Sequence, residues 1–412
     1  MTDSERAGRG WIPPFAVLAA CSLLVFASYG STQPFLPLFL RELGQSEAGA
    51  IAWTGIIQAG MGGALIVVTP FWGAISDRVG QKTMLLRGIL GGGISVGLLS
   101  LATQAWHVLV LRILVGAAGG VSSTVAALAA AILPPARLAM GMGLIQTFQA
   151  IGTSIGPLLG GLGAATIGYR GVFLTSGLFM VMVSGLAAFL IREPPRPARA
   201  STEQSSPWQN LSLVLGSARL RAPIAGLFVS QSAYLLGLTL LGLQVQQLGG
   251  GGSEGDALVG LVLTANAAGL ALGATSFGWL ADRLGAEPTA LIALLLSALL
   301  ALPQVWLTDP AIFVAVRAVA GFGVGGILPV LQGQLAREAA RDGEMRHHLG
   351  AVYGVVQSAM SVSTVVGSAL SALIGARFGI AWTHAVAALL FGAAALGYWR
   401  LQSARPTTEA DR

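Results

Sequence analysis

The chain has 412 residues, 54% of them hydrophobic and only 10% charged, with a formal net charge of +6. A soluble domain carries about 25% charge, and a single core in water stops growing beyond about 250–300 residues. A water-soluble globule is therefore excluded, and lipid must solvate most of the surface.

In hydrocarbon, only helices and closed barrels pair all their backbone groups. The apolar runs are about twenty residues or longer, which is spanning length for a helix, whereas barrel strands are alternating segments of about ten. The runs are rich in Leu, Ala and Gly without two-residue alternation, so the reading is helical. In chain order the predicted spans lie near 12–40, 49–75, 84–103, 106–132, 139–165, 170–191, 223–248, 257–281, 288–307, 310–336, 350–375 and 379–400. Leu18-Ala19-Ala20-Cys21 resembles a lipoprotein processing site, but the run continues to Leu40 and eleven more follow. It is read as the first span. Cys21 is the single cysteine, so no disulfide framework is possible.

The basic residues act as topology signals and not as a nucleic-acid surface. With the N-terminus inside, eighteen Lys and Arg fall in cytoplasmic segments, against Arg41, Arg170 and Arg377 outside. Both termini are then cytoplasmic. The longest hydrophilic stretch, 192–222, is rich in Pro, Ser, Arg and Glu and reads as a flexible linker. It separates residues 1–191 from 223–412, six spans each.

The halves repeat one another. Gly73, Asp77, Arg78 and Gly80 recur as Gly278, Asp282, Arg283 and Gly285 at an offset of 205, as do Arg112 with Arg317 and Gly116 with Gly321. Further on the offset is 211, relating Gln146 to Gln357, Gly156 to Gly367 and Gly168 to Gly379. The fold class expected is an all-α membrane protein, twelve transmembrane helices in two pseudo-symmetric six-helix bundles. Such duplicated units hold their substrate site near mid-membrane.

Four groups of residues carry chemistry. Gly73-x-x-x-Asp77-Arg78-x-Gly80-x-Lys82 follows the second span. Its glycines allow a tight turn and close helix approach, while its charges sit at the membrane interface. Arg112 and Arg317 lie inside the fourth and tenth spans, where an arginine either snorkels or has a function. Gly152-x-x-x-Gly156-Pro157-x-x-Gly160-Gly161 permits close packing and bends its helix. Gln33, Gln58, Gln146, Gln149, Gln231, Tyr234, Asn266, Gln332 and Gln357 are polar groups within spans, lining residues or interhelical glue. Met142, Met180, Met182 and Met360 suit an adaptable chamber or plain packing.

PFLPLFLRELG, PFWGAISDRVGQKTMLLR, LRILVGAAGG and GTSIGPLLGG resemble the major facilitator superfamily. The likeness covers essentially the whole length and is nearest to its twelve-span drug:proton antiporters, the MdtG-like efflux proteins in particular. That resemblance implies that the Gly73–Lys82 loop, with Asp282 and Arg283, is a gating latch, and that Arg112 takes part in proton coupling. It also implies that Gly152–Gly161 is the antiporter signature of exporters; Gly367-Ser368-Ala369, its counterpart, lacks the proline. One departure stands out: many proton-coupled relatives carry a carboxylate inside the first span, and this chain has none there. Glu42 at its outer end, set against Arg112 by depth alone, and His384 in the last span are the remaining coupling candidates, with Arg317.

No phosphate loop, no metal-spaced His/Cys set and no nucleophile with its base is present, so no enzyme, metal site or cofactor is expected. The expected function is secondary active export of small lipophilic or amphiphilic compounds from a monomer in the inner membrane, with the proton gradient as energy source. The expected partners are a small-molecule substrate and the bilayer, with no nucleic acid. Specific metabolite export and uptake of a neutral solute are the alternatives.

Overall fold

The computed structural model describes residues 11–134, 138–191, 212–214, 216–341 and 349–403. The described residues form helices and short connections. α1 (Ile12–Thr32) starts with prolines in its first turn, where a missing N–H costs nothing. It passes through a 3₁₀ turn over Gln33–Phe35 into α2 (Leu36–Glu42). Then come α3 (Glu47–Val79), α4 (Gln81–Leu98), α5 (Ala105–Ala117), α6 (Val121–Ile132) and α7 (Leu138–Leu190). The later helices are α8 (Ala218–Thr239), α9 (Leu241–Leu248), α10 (Gly252–Leu284), α11 (Ala286–Ala301), α12 (Pro310–Arg341), α13 (Leu349–Phe378) and α14 (Trp382–Ser403).

Among the described residues, eleven stretches are long and apolar enough to cross a membrane. The sequence predicts twelve, and the difference lies in α7. Its apolar part, Leu144–Leu190, is 47 residues long, about 70 Å at 1.5 Å per residue, against a hydrocarbon core of about 30 Å. Gly168 breaks it with φ 71° and ψ 170°, a conformation that L side chains rarely adopt. α7 therefore has two arms, one on each side of Gly168.

Two compact units emerge. The first is Met1–Ala198 with Val245–Thr264, and the second is Arg199–Gln244 with Ala265–Arg412. In the first, α1 and α4 pack along α7, and α3 packs against α5. One of its cores gathers Leu18, Cys21, Leu85, Leu128 and Met180, another Phe39, Ile57, Val108 and Phe173. In the second, α8 packs on α13 and α14 while α11 packs on α12 and α14, around Leu236, Leu294, Leu331 and Phe391. Large side chains such as Val67, Phe189, Leu299 and Leu389 remain exposed, as they must where lipid is the solvent. Exposed Trp106, Trp306, Trp382 and Trp399 sit at helix ends, the usual interfacial belt position.

The internal repeat is legible in the backbone. Gly80 (φ 103°, ψ 153°) starts α4, and Gly285 (φ 91°, ψ 160°) starts α11 in the same conformation. A side chain at Gly116 would strike the Met61 carbonyl, and one at Gly321 the Asn266 carbonyl, so both crossings repeat at the 205-residue offset. The termini, the 192–211 part of the linker and residues 342–348 lie outside the described residues.

Candidate functional site

The glycine motif lies on the first arm of α7 and has two working faces. Gly152, Gly156 and Gly160 are spaced four apart, so they form one row along a helix. A Cβ at Gly152 would strike the Leu23 carbonyl, one at Gly156 would lie 2.6 Å from the Ala27 carbonyl, and one at Gly160 would strike the Ser31 carbonyl. The row therefore presses directly on the backbone of α1. Gly161 points to another neighbour: its Cβ would sit 2.8 Å from both the Asp256 carbonyl and the Gly260 Cα of α10. A Cβ at Gly260 would in turn lie 2.9 Å from the Pro157 carbonyl. Among the described residues, Thr153 and Ser154 bond within their own helix, and none of 152–161 sends a side-chain hydrogen bond across either crossing.

Beside this crossing stands a carboxylate that the sequence reading passes over. Asp256 is 6% exposed, the only buried carboxylate among the described residues. The Tyr169 hydroxyl donates to its Oδ1 at 2.5 Å, and Gln246 Nε2 donates to the same oxygen at 2.9 Å and to the Tyr169 oxygen at 3.1 Å. The predicted eighth span begins at residue 257, so Asp256 falls one position outside it. A burial pattern extended through Gly255 and Asp256 would have found it.

The two arginines are buried, at 1% for Arg112 and 5% for Arg317. Neither snorkels. Arg317 Nη1 donates to Gln304 Oε1 at 3.0 Å, while Nε and Nη2 of both guanidiniums have no acceptor among the described residues. Glu42 does not meet Arg112. It is exposed and pairs with Arg170, Nε to Oε1 3.4 Å, because Arg170 starts the second arm of α7 beside the end of α2. Depth along the chain could not reveal which helices are neighbours. His384 is buried at 1%, its Nε2 2.7 Å from Gln244 Oε1, while Gln244 Nε2 donates to the Gln304 carbonyl at 3.3 Å. His384, Arg317, Gln304, Tyr234 and Asn266 border a cavity of about 20 Å³, room for a water molecule.

The polar lining residues divide. Asn266 Nδ2 donates to the Tyr234 hydroxyl at 3.1 Å, and Ser122 Oγ donates to Gln149 Oε1 at 3.4 Å. Gln58 is buried with Oε1 unpaired among the described residues. Gln33, Gln231 and Gln332 are half-buried, and Gln146 is exposed. Met180 belongs to a core and Met182 is 60% exposed, so no common chamber joins those two. The side chains of Gln357 and Met142 lie outside those described.

At the other end of the first unit, Lys82 Nζ donates to the Ala188 carbonyl at 2.6 Å and so caps the end of α7. Asp282 and Arg283 are exposed, with the Arg283 guanidinium 3.9 Å from the Trp279 ring centroid. Gly73, Asp77 and Arg78 lie on α3, outside the residues whose side chains are described. The fourth span is broken: α5 stops at Ala117, and Gly120, with φ 97°, precedes α6. Trp72 Nε1 donates to the freed Ala117 carbonyl at 2.7 Å and Arg87 Nη2 to Gly119 at 2.9 Å, with Arg87 stacked 3.5 Å from the Trp72 ring centroid. Trp72, Arg87, Met84, Ser123 and Thr124 border a cavity of about 380 Å³, the size of a drug-like ligand site.

The chain matches the family model described as Major Facilitator Superfamily over residues 18–255 and 246–412. Among curated proteins it is 30% identical over 361 residues to multidrug resistance protein MdtG of Escherichia coli, covering 86% of each chain. Among solved structures it is similar to a bacterial homologue of the human lysosomal transporter Spinster in an inward-facing, occupied conformation. That likeness has a TM-score of 0.76 at 14% identity and covers 97% of each chain. The nucleoside transporter NupG gives 0.76 at 12% identity, covering 94% of this chain and 99% of that one. At such identities the two structures speak to the fold alone.

Proposed function

This chain belongs to the major facilitator superfamily, and on that premise we propose that it exports small lipophilic or amphiphilic compounds across the bacterial inner membrane in exchange for protons. The two arms of α7 act as separate spans, making twelve, with both termini in the cytoplasm. The likeness to a protein named for multidrug resistance supports the substrate class.

The observation that carries the reading is the two-faced glycine surface of Gly152–Gly161. It touches α1 through one row and α10 through Gly161, both at backbone contact and without side-chain hydrogen bonds among the described residues. Helix association in lipid rests on such packing. The glycine faces themselves carry no donor to leave unpaired, which suits the parting and re-forming that alternating access demands. Beside them, Tyr169–Asp256 toward α10 and Ser31–Ser176 toward α1 are polar ties that such a motion exchanges for water. The Gly73–Lys82 segment, the end of α3 and its turn into α4 at Gly80, serves as the latch on the opposite side, and Arg112 as a fixed charge, since guanidinium keeps its proton.

The test is drug tolerance in a bacterial host stripped of its own exporters. Expression of the chain is expected to raise tolerance to several unrelated lipophilic compounds, and collapse of the proton gradient to abolish the gain. Unchanged tolerance, together with protein-dependent movement of one neutral metabolite, would replace this reading by metabolite export or uptake.

A further inference from the structure

We propose that Asp256 takes up the proton from the outer medium, and that its protonation closes the α7–α10 contact at Gly161. The inference deepens the proposed proton exchange and rests on it for the identity of the driving ion.

The absence of any carboxylate in α1 leaves the coupling group unassigned, and Asp256 is the buried carboxylate among the described residues. It has no ion-pair partner among them. From α7 it faces Tyr169, and from α9 Gln246. Glu42, on α2, acts electrostatically on Tyr169 but is held by Arg170, which also donates to the Ser100 carbonyl at 2.6 Å. Glu254, on its own helix, is exposed, and Glu47 of α3 accepts from Gln247 at 2.9 Å. No cation in this set is directed at Asp256.

Ionised, a buried carboxylate without a cation is an unpaired charge in a poor solvent; as the neutral acid it is not. Both hydrogen bonds fall on Oδ1, so Oδ2 is the atom that takes the proton. In the step proposed, an O–H bond forms at Oδ2 with a proton from outer water, and the same bond breaks when the proton leaves toward the cytoplasm. Tyr169 and Gln246 keep their own protons and act as positioning residues. The link to motion is geometric. Asp256 and Gly260 are four residues apart, on one face of α10, and the Asp256 carbonyl itself lies against Gly161. Parting the helices here pulls the carboxyl away from Tyr169 on α7 and admits water to it. The closed contact therefore suits the neutral acid, and the open one suits the ion.

Two measurements on the full chain in lipid vesicles test this. Spin labels at Glu47→Cys and Gln247→Cys, an exposed pair, report the distance between α3 and α9. The close population is expected to grow as the pH falls from mildly alkaline to mildly acidic. In Asp256→Asn it should be dominant at every pH, while Asp256→Glu keeps the dependence and so controls for folding. Tyr169→Phe should move the midpoint without removing the transition. Drug uptake into inverted vesicles driven by a pH gradient should fall about tenfold or more in Asp256→Asn, with drug–drug exchange retained. Gradient-driven uptake at the wild-type rate in Asp256→Asn, or a wild-type pH response of the distance, would overturn the proposal. If wild type moves no drug yet shows the Asp256-dependent distance change, the export reading fails while the protonation site stands.

Discussion

The first arm of α7 and the matching stretch of α13 occupy equivalent places in the two repeats yet are built on different chemistry. At an offset of 211, Gly152, Gly156, Pro157, Gly160 and Gly161 become Ser363, Gly367, Ser368, Ser371 and Ala372. The α1 crossing is glycine against backbone. In the α8 crossing only Gly367 keeps that role, with a Cβ 2.5 Å from the Ser232 carbonyl, and hydroxyls tie the helices together. Ser363 Oγ donates to the Phe228 carbonyl at 2.9 Å, and Ser368 and Thr239 hydroxyls are 3.1 Å apart. Among the described residues the α1 crossing of this arm thus carries no side-chain bond of its own, while the α8 crossing carries two. Duplication supplied the same geometry twice, and on the export reading one copy is the joint and the other the brace.

The harshest way to break this contrast is to write the α13 residue into α7. Gly160→Ser places a Cβ against the Ser31 carbonyl and 2.7 Å from the Phe35 ring, overpacking that costs about 1–3 kcal/mol. A lower thermal midpoint of the purified protein and loss of drug tolerance are expected; wild-type behaviour in both would dissolve the distinction. Gly161→Ala, copying Ala372, comes next. It obstructs the α10 face alone, so gradient-driven efflux should fall further than stability does, as measured by transport against melting on one sample. Ser363→Ala removes a bond across the α8 crossing for about 1 kcal/mol, and efflux should persist with a modestly lowered midpoint. If efflux stops, the brace is part of the moving machinery. The smallest effect is expected at Lys82, whose offset counterpart, Glu287, is exposed and caps no helix among the described residues. Lys82→Met should cost about 0.3–1 kcal/mol through the lost cap on α7, seen as a small drop in melting temperature.

Much of this was readable beforehand. The 205-residue spacing of Gly80 and Gly285 gave two equal turns because positive φ leaves few residues but glycine. The rows of small residues marked where backbones meet. What the sequence withheld was adjacency. The span pattern sets Glu42 and Arg112 near one membrane face, yet Glu42 pairs with Arg170, and nothing in the α2 sequence names that partner. Asp256 was hidden by its place at an apolar boundary, where a carboxylate reads as a loop residue. The break at Gly119–Gly120 was hidden because the apolar run continues across it, and the carbonyls it frees are satisfied by Trp72 and Arg87 from other helices.

The burial of Cys21, at 3% exposure within a core of the first unit, has a consequence for the reactivity of the whole molecule. A thiol reacts with electrophiles and oxidants as the thiolate, and only where the reagent can reach it. This protein's sole sulfhydryl is packed among Leu and Val side chains, so water-borne maleimides should leave the native chain unlabelled. Toward thiol reagents the wild type is in effect blank. Any cysteine added at a surface position then reports its own surroundings with no background to subtract.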